Sequence, residues 1–230
     1  MIERVEHPQW LSNAYLVAED GIGVLIDANG LEGALERVAD ERGIEITHVL
    51  RTHGHPDHVV GIEELARRRG VPLLGYPELG DGDKLTTGAL EIRALHTPGH
   101  CADHLAFLVN GTDCFTADVL FRGTVGGTSG PDGDYAALKR SILDVLLPLA
   151  PETAIHPGHR EPTTIAAERQ SNPFIRAWLD GEWPGEQPCR VSGEPATLLL
   201  WAPDYDGGHK ALVRLADGRE TIVGGSRVER

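Results

Sequence analysis

Four side chains able to bind a metal ion fall within six positions of one stretch, Thr52-His53-Gly54-His55-Pro56-Asp57-His58. Imidazole and carboxylate together suit Zn²⁺, iron or Mn²⁺, and a loop can turn neighbouring ligands toward different points. The competing reading of such a run is a solvated, histidine-rich loop. Three further segments weigh against it: Thr97-Pro98-Gly99-His100, Thr116-Ala117-Asp118 and His156-Pro157-Gly158-His159 each place a candidate ligand after a strand or turn. Glycine beside His100 and His159 lets the backbone pass close to a buried ion. Asp118 follows the apolar run Cys114 to Ala117, and a carboxylate at a strand end can bridge two cations. Two adjacent cations lower the pKa of a shared water so that hydroxide forms near neutral pH, and they polarise a carbonyl toward attack. No serine or cysteine nucleophile is needed for that chemistry.

The elements that must position these residues are readable around them. Asn13 to Glu19 and Ile22 to Asp27 are β-favouring runs divided by Asp20-Gly21, a hairpin signal. Leu31, Leu35 and Val38 predict a helix over residues 31–42, and Ile44 to Leu50 predicts a strand that delivers Thr52 into a loop. A helix over 59–69 and a strand over 71–74 continue a β-α-β alternation, and short strands follow at 84–85, 90–95, 105–109 and 114–117. Asp134 is positioned to cap a helix carrying Leu138, Ile142, Val145 and Leu149 on one face; a strand at 153–156 and two short helices at 164–170 and 174–179 come next. From Trp183 onward Pro and Gly punctuate the chain before strands at 197–201, 210–215 and 220–223. The expected organisation is one main domain, 1–182, followed by a small β-rich, barrel-like appendage, 183–230.

Composition bounds the function. A chain of 230 residues, 40% hydrophobic and 24% charged, is long and apolar enough to bury a core. The formal net charge of -14 repels phosphate backbones, so nucleic acid is disfavoured as a partner. The first fifteen residues lack a basic segment followed by an apolar run, and no stretch has the length of a membrane span. A cytoplasmic protein without a membrane partner is expected. Cys101, Cys114 and Cys189 are odd in number and lack C-x-x-C spacing, so they read as reduced thiols.

The series H-x-H-x-D-H, T-P-G-H, an Asp after a strand, and P-G-H resembles the metallo-β-lactamase-fold hydrolase superfamily, particularly its glyoxalase II-like branch, over about residues 10 to 180. The resemblance implies an α/β fold, a four-layer αββα sandwich, to which the C-terminal β appendage is added. It also implies two divalent metal ions, with zinc expected and iron or manganese suited. One would be held by His53, His55 and His100, the other by Asp57, His58 and His159, with Asp118 bridging. Asp57 and Asp118 are then the catalytic carboxylates, Asp57 orienting the hydroxide. Asp27, after Val24-Leu25-Ile26, matches a family position where a carboxylate orients a metal ligand; a turn-forming Asp before Ala28-Asn29-Gly30 is the other reading. His104 and His156 read as hydrogen-bonding supports, Cys101 as a bystander thiol, and His7, His48, His96 and His209 as packing or surface residues.

By this resemblance the chain is a dinuclear metal-dependent hydrolase acting through a metal-bound hydroxide on a thioester or related ester, with a small acyl molecule as substrate. A homodimer is compatible with the sequence. The long helical C-terminal domain that binds glutathione in glyoxalase II has no counterpart after His159, so the thiol carrier is left open. Arg122, in Leu120-Phe121-Arg122-Gly123, is a candidate contact for an anionic group of the substrate, or an ordinary surface arginine. The alternative activity is a mononuclear iron persulfide dioxygenase, but such enzymes carry G-R-T-D-F where this chain reads Gly126-Gly127-Thr128-Ser129-Gly130. A noncatalytic metal-containing binding protein is the third reading.

Overall fold

The computed structural model describes residues 1–181 and 183–230. The domain boundary expected at 182/183 therefore falls at Glu182, which lies outside the described residues. By internal contacts the chain divides into two compact units. The first is Met1–His96, Asp103–Ala117 and His156–Arg160; the second is Thr97–Ala102, Asp118–Ile155 and Glu161–Arg230.

The first unit opens with strands β1 (Ile2–Glu6), β2 (Asn13–Glu19) and β3 (Ile22–Ile26), paired antiparallel. The two-residue β4 (Ala28–Asn29) and helix α1 (Gly33–Glu41) lead to β5 (Glu45–Leu50). Helices α2 (Pro56–Val59) and α3 (Ile62–Arg69) precede β6 (Leu73–Leu74). The resulting sheet has the order β1-β2-β3-β5-β6, its last two pairings parallel. Strands β7 (Lys84–Thr87), β8 (Leu90–His96), β9 (Leu105–Val109) and β10 (Asp113–Ala117) form a second, antiparallel series.

Period-2 alternation decides what each face meets. Tyr15 and Val17 of β2 and Val24 and Ile26 of β3 pack with Leu90, Ile92, Leu105, Phe107 and Phe115 of the second series. The intervening Ala14, Leu16 and Leu25 pack with Leu35 and Ala39 of α1 and with Ile62, Leu65 and Ala66 of α3. Three layers, helix on sheet on sheet, follow within this unit.

The helix expected over 59–69 is divided in two. Gly61 takes φ +78°, and Val59 and Val60 bridge to Ala28 and Asn29, so the backbone leaves helical geometry between α2 and α3. Pro56 opens α2 at its first helical position, where its missing N–H costs nothing.

The second unit contains the hairpin β11 (Leu120–Phe121) and β12 (Thr124–Val125), helix α4 (Tyr135–Arg140) and a π-helical turn over Ser141–Leu146. Asp134 caps α4 as expected, accepting from Ala137 N. Strand β13 (Ala154–Pro157) starts in this unit and pairs there with β14 (Thr163–Thr164); α5 (Ile165–Ser171) and α6 (Pro173–Asp180) follow, with Asn172 capping α6. The C-terminal strands β15 (Gln187–Val191), β16 (Glu194–Pro203), β17 (His209–Leu215), β18 (Glu220–Gly224) and β19 (Val228–Glu229) form a five-stranded sheet in the order β18-β17-β16-β15-β19. Cys189, Val191, Leu198, Ala211, Val213 and Val223 make its core. Among the described residues no helix is long and apolar enough to cross a membrane.

Candidate metal centre

Five of the seven expected ligands lie in the first unit. Strand β5 ends at Leu50, and the chain runs through buried Thr52 and His53 into the single turn of α2. His53 Nε2 stands 3.1 Å from His55 Nδ1, the two rings edge to face. Asp57 Oδ2 is 3.6 Å from His58 Nε2 and 3.5 Å from His159 Nε2. These separations exceed the usual hydrogen-bond range. They match instead the ligand-to-ligand spacing of roughly 3.3 Å that tetrahedral bonds of about 2.0–2.1 Å require. One donor atom each from Asp57, His58 and His159 falls within a common 4.8 Å. The donor set therefore fits a divalent metal ion of the kind imidazole and carboxylate favour.

The surrounding bonds fix which nitrogen faces this point. Asp27, buried and at φ +60° between β3 and β4, accepts from Thr52 N at 2.8 Å through Oδ1. Its Oδ2 takes the Thr52 hydroxyl at 2.8 Å and His58 Nδ1 at 3.0 Å. A carboxylate on Nδ1 keeps the proton there and leaves Nε2 as a lone-pair donor. His159 is held by its own loop: Asn13 N donates to Gly158 O at 2.7 Å, and the Tyr15 hydroxyl donates to Pro157 O at 2.6 Å. Asn13 Nδ2 reaches Pro157 O and Arg160 O, both at 2.9 Å. Asn13 and Tyr15 are positioning residues that the sequence did not single out, because their partners lie more than 140 positions away. His104 stacks on His53 at 5.1 Å between ring centroids. His156 bonds Asp113 Oδ1 at 2.8 Å and lies on the Phe115 ring.

His100, Asp118 and Arg122 belong to the second unit. His100 Nε2 stands 3.5 Å from Asp118 Oδ2, while His100 Nδ1 donates to the Gly127 carbonyl at 2.8 Å. Gly99 is required before it: at φ +130°, a Cβ there would meet Leu138 N at 2.1 Å. Arg122 is exposed at the turn of the β11–β12 hairpin. All three cysteines are free and buried. Burial pushes the Cys114 thiol up to about 12, leaving it protonated and unreactive near neutral pH.

The profile of the Metallo-beta-lactamase superfamily matches residues 7–82. A relative from Haemophilus influenzae, described as hydroxyacylglutathione hydrolase GloC, is 30% identical over 208 residues, covering 76% of this chain and 98% of that protein. The chain belongs to the metallo-β-lactamase superfamily. Among solved structures, ETHE1 from Myxococcus xanthus superposes with a TM-score of 0.72 at 27% identity, covering 80% of this chain and 92% of that one. TTHA1623, solved in a di-iron-bound form, superposes with a TM-score of 0.67 at 31% identity, covering 75% and 99%. The α/β metallo-β-lactamase fold expected from the motif series is the fold of these structures, and this superfamily member carries the candidate His/Asp metal ligands that go with it.

Proposed function

We propose that this metallo-β-lactamase superfamily member is a dinuclear metal-dependent hydrolase of a thioester or related ester. The observation that carries the reading is the Asp57, His58 and His159 group, whose donor atoms face one point while Asp27 holds His58 by its other nitrogen. Its metal ions would be held by His53, His55 and His100 on one side and by Asp57, His58 and His159 on the other, with Asp118 shared. Zinc is the expected metal. Bound there, the ions would supply Lewis-acid polarisation of the acyl carbonyl and a water acidic enough to ionise near neutral pH.

The remaining chemistry falls to side chains of the chain. Asp57, near the mouth of the group with its side chain 26% exposed, accepts a hydrogen bond from the attacking water and aims it at the carbonyl carbon. The bond from Asp27 to His58 and the clamp of Asn13 and Tyr15 on residues 157–160 hold the ligands still during attack. Arg122, at the hairpin turn, offers its guanidinium to an anionic portion of the substrate. The name of the Haemophilus relative, hydroxyacylglutathione hydrolase, supports an acyl-thiol substrate class.

Purified protein reconstituted with zinc and assayed on thioesters, lactones, β-lactams and phosphodiesters is expected to hydrolyse thioesters fastest. Turnover of none of these would remove the hydrolase assignment. A single iron per chain together with oxygen uptake on a thiol persulfide would establish the dioxygenase reading instead.

A further inference from the structure

In the second unit, residues 118–128 form a clip that carries Asp118 at one end and meets His100 at the other. The β11–β12 hairpin closes it: Gly126 N donates to Val119 O at 3.0 Å, and a Cβ at Gly126 would lie 2.1 Å from the Asp118 carbonyl oxygen. Two anchors from the C-terminal sheet grip the end of the hairpin and the segment just after it. Lys210 of β17, only 5% exposed, donates from Nζ to Val125 O at 2.8 Å and pairs with Asp204 Oδ1 at 3.0 Å. Its ammonium also lies over the Phe121 and Tyr205 rings, 5.1 Å from each centroid. Three residues on, Thr128 N donates to Ile222 O at 2.9 Å, and Ile222 N returns a bond to the Thr128 hydroxyl at 2.8 Å. Between these anchors stands Gly127, whose carbonyl receives His100 Nδ1.

We propose that the C-terminal sheet is a positioning element for His100: Lys210 and Ile222 hold residues 125–128 so that the Gly127 carbonyl fixes the His100 imidazole with Nε2 presented toward Asp118. A buried ammonium carries a desolvation cost that a methionine of similar length would not. What it contributes that methionine cannot is a donor aimed at one particular carbonyl, two residues from the group that orients the imidazole. The inference gives the strands after residue 183 a role in the reaction, and it rests on the reading of His100 as a metal ligand. Carbonyl groups that hold the remote nitrogen of a ligating histidine commonly change metal affinity by about 10–100-fold when disturbed.

The test compares the full chain with the double variant Lys210→Met/Asp204→Asn, which avoids leaving a buried carboxylate unpaired, and with Thr128→Val, a milder change that removes the Ile222 acceptor. Two readouts are taken: the nitrogen chemical shifts of His100 in metal-free protein, and the affinity and visible spectrum of Co²⁺. The wild type is expected to show His100 protonated at Nδ1. Both variants are expected to lose that signature and to hold the cobalt that His100 ligates about ten- to a hundredfold more weakly. Variants that melt earlier yet keep the wild-type His100 shifts and cobalt spectrum would overturn the inference, since the sheet would then serve stability alone. Loss of the His100 signature supports the clamp even if the wild type takes up no cobalt, a result that would sink the metal reading by itself.

Discussion

Replacing Asp27 by Asn removes one charge while keeping the side-chain shape, and its consequence can be followed atom by atom. Oδ1 can still accept from Thr52 N, but the position of Oδ2 becomes an amide N–H facing His58 Nδ1 and the Thr52 hydroxyl. The hydroxyl can accept from the amide. His58 Nδ1 can do so only by giving up its proton, which then resides on Nε2, 3.6 Å from the Asp57 carboxylate. A protonated Nε2 cannot bind a metal. Loss of a buried hydrogen bond to a charged group costs about 1.5–3 kcal/mol. At roughly 2–4 °C per kcal/mol for a chain of this length, the metal-free Tm falls by about 3–12 °C. The metal effect is separate: affinity at the Asp57, His58 and His159 group is expected to drop about 10–100-fold. Calorimetry of metal-free protein measures the first quantity, and competition against a chelating dye measures the second. Asp27→Asn protein that loses stability but binds metal as tightly as the wild type would refute the assignment of Asp27 as the residue that orients His58.

Three further outcomes follow from other parts of the molecule. Asp57→Asn is expected to lower kcat on the best thioester by at least about 10²-fold, the scale of a lost proton-handling group, and activity within tenfold of wild type would place water orientation elsewhere. Gly99→Ala must push Leu138 away or abandon φ +130°; strain and overpacking together predict a loss of about 2–5 kcal/mol, read as a fall in the urea midpoint. Glu36, between Arg68 Nη2 at 2.5 Å and Arg69 Nε at 2.7 Å, is raised in pKa by burial but brought below its usual 4.5 by the hydrogen bonds and charges of both arginines. Its contribution to stability is therefore complete above pH 4.5 and disappears as pH falls through the depressed value. Metal-free Glu36→Gln should melt roughly 2–4 °C below wild type at pH 7, for a contribution of about 1 kcal/mol, with the gap closing in acid; a gap unchanged at pH 3 would contradict this.

Much of the candidate site was legible because its residue types are dense and chemically unusual. His53, His55, Asp57 and His58 sit together in the chain, and the Gly beside His100 marks backbone that takes φ +130°. Local signals also read correctly where the decisive group was nearby, as with Asp134 capping α4. The apolar spacing over 59–69 was ambiguous by contrast: it shows which residues face inward but not that Gly61 adopts a left-handed conformation. Strand β15 escaped notice because Pro188 reads as a strand breaker. Pro188 pairs with Thr197 of β16, whereas β19 pairs with Arg190 and Val191; a proline whose missing N–H faces an open edge is tolerated. Asn13, Tyr15 and Lys210 were invisible for a different reason. Each acts through a backbone carbonyl distant in sequence, and a carbonyl leaves no trace in residue identity.

Metal content per chain is the measurement closest to the central claim. Protein stripped by chelator, reloaded with zinc and desalted should retain two equivalents, and His159→Ala, which breaks the Asp57, His58 and His159 group, should retain one. A wild type that keeps no metal, or a His159→Ala variant that keeps two equivalents as tightly as the wild type, would contradict the account.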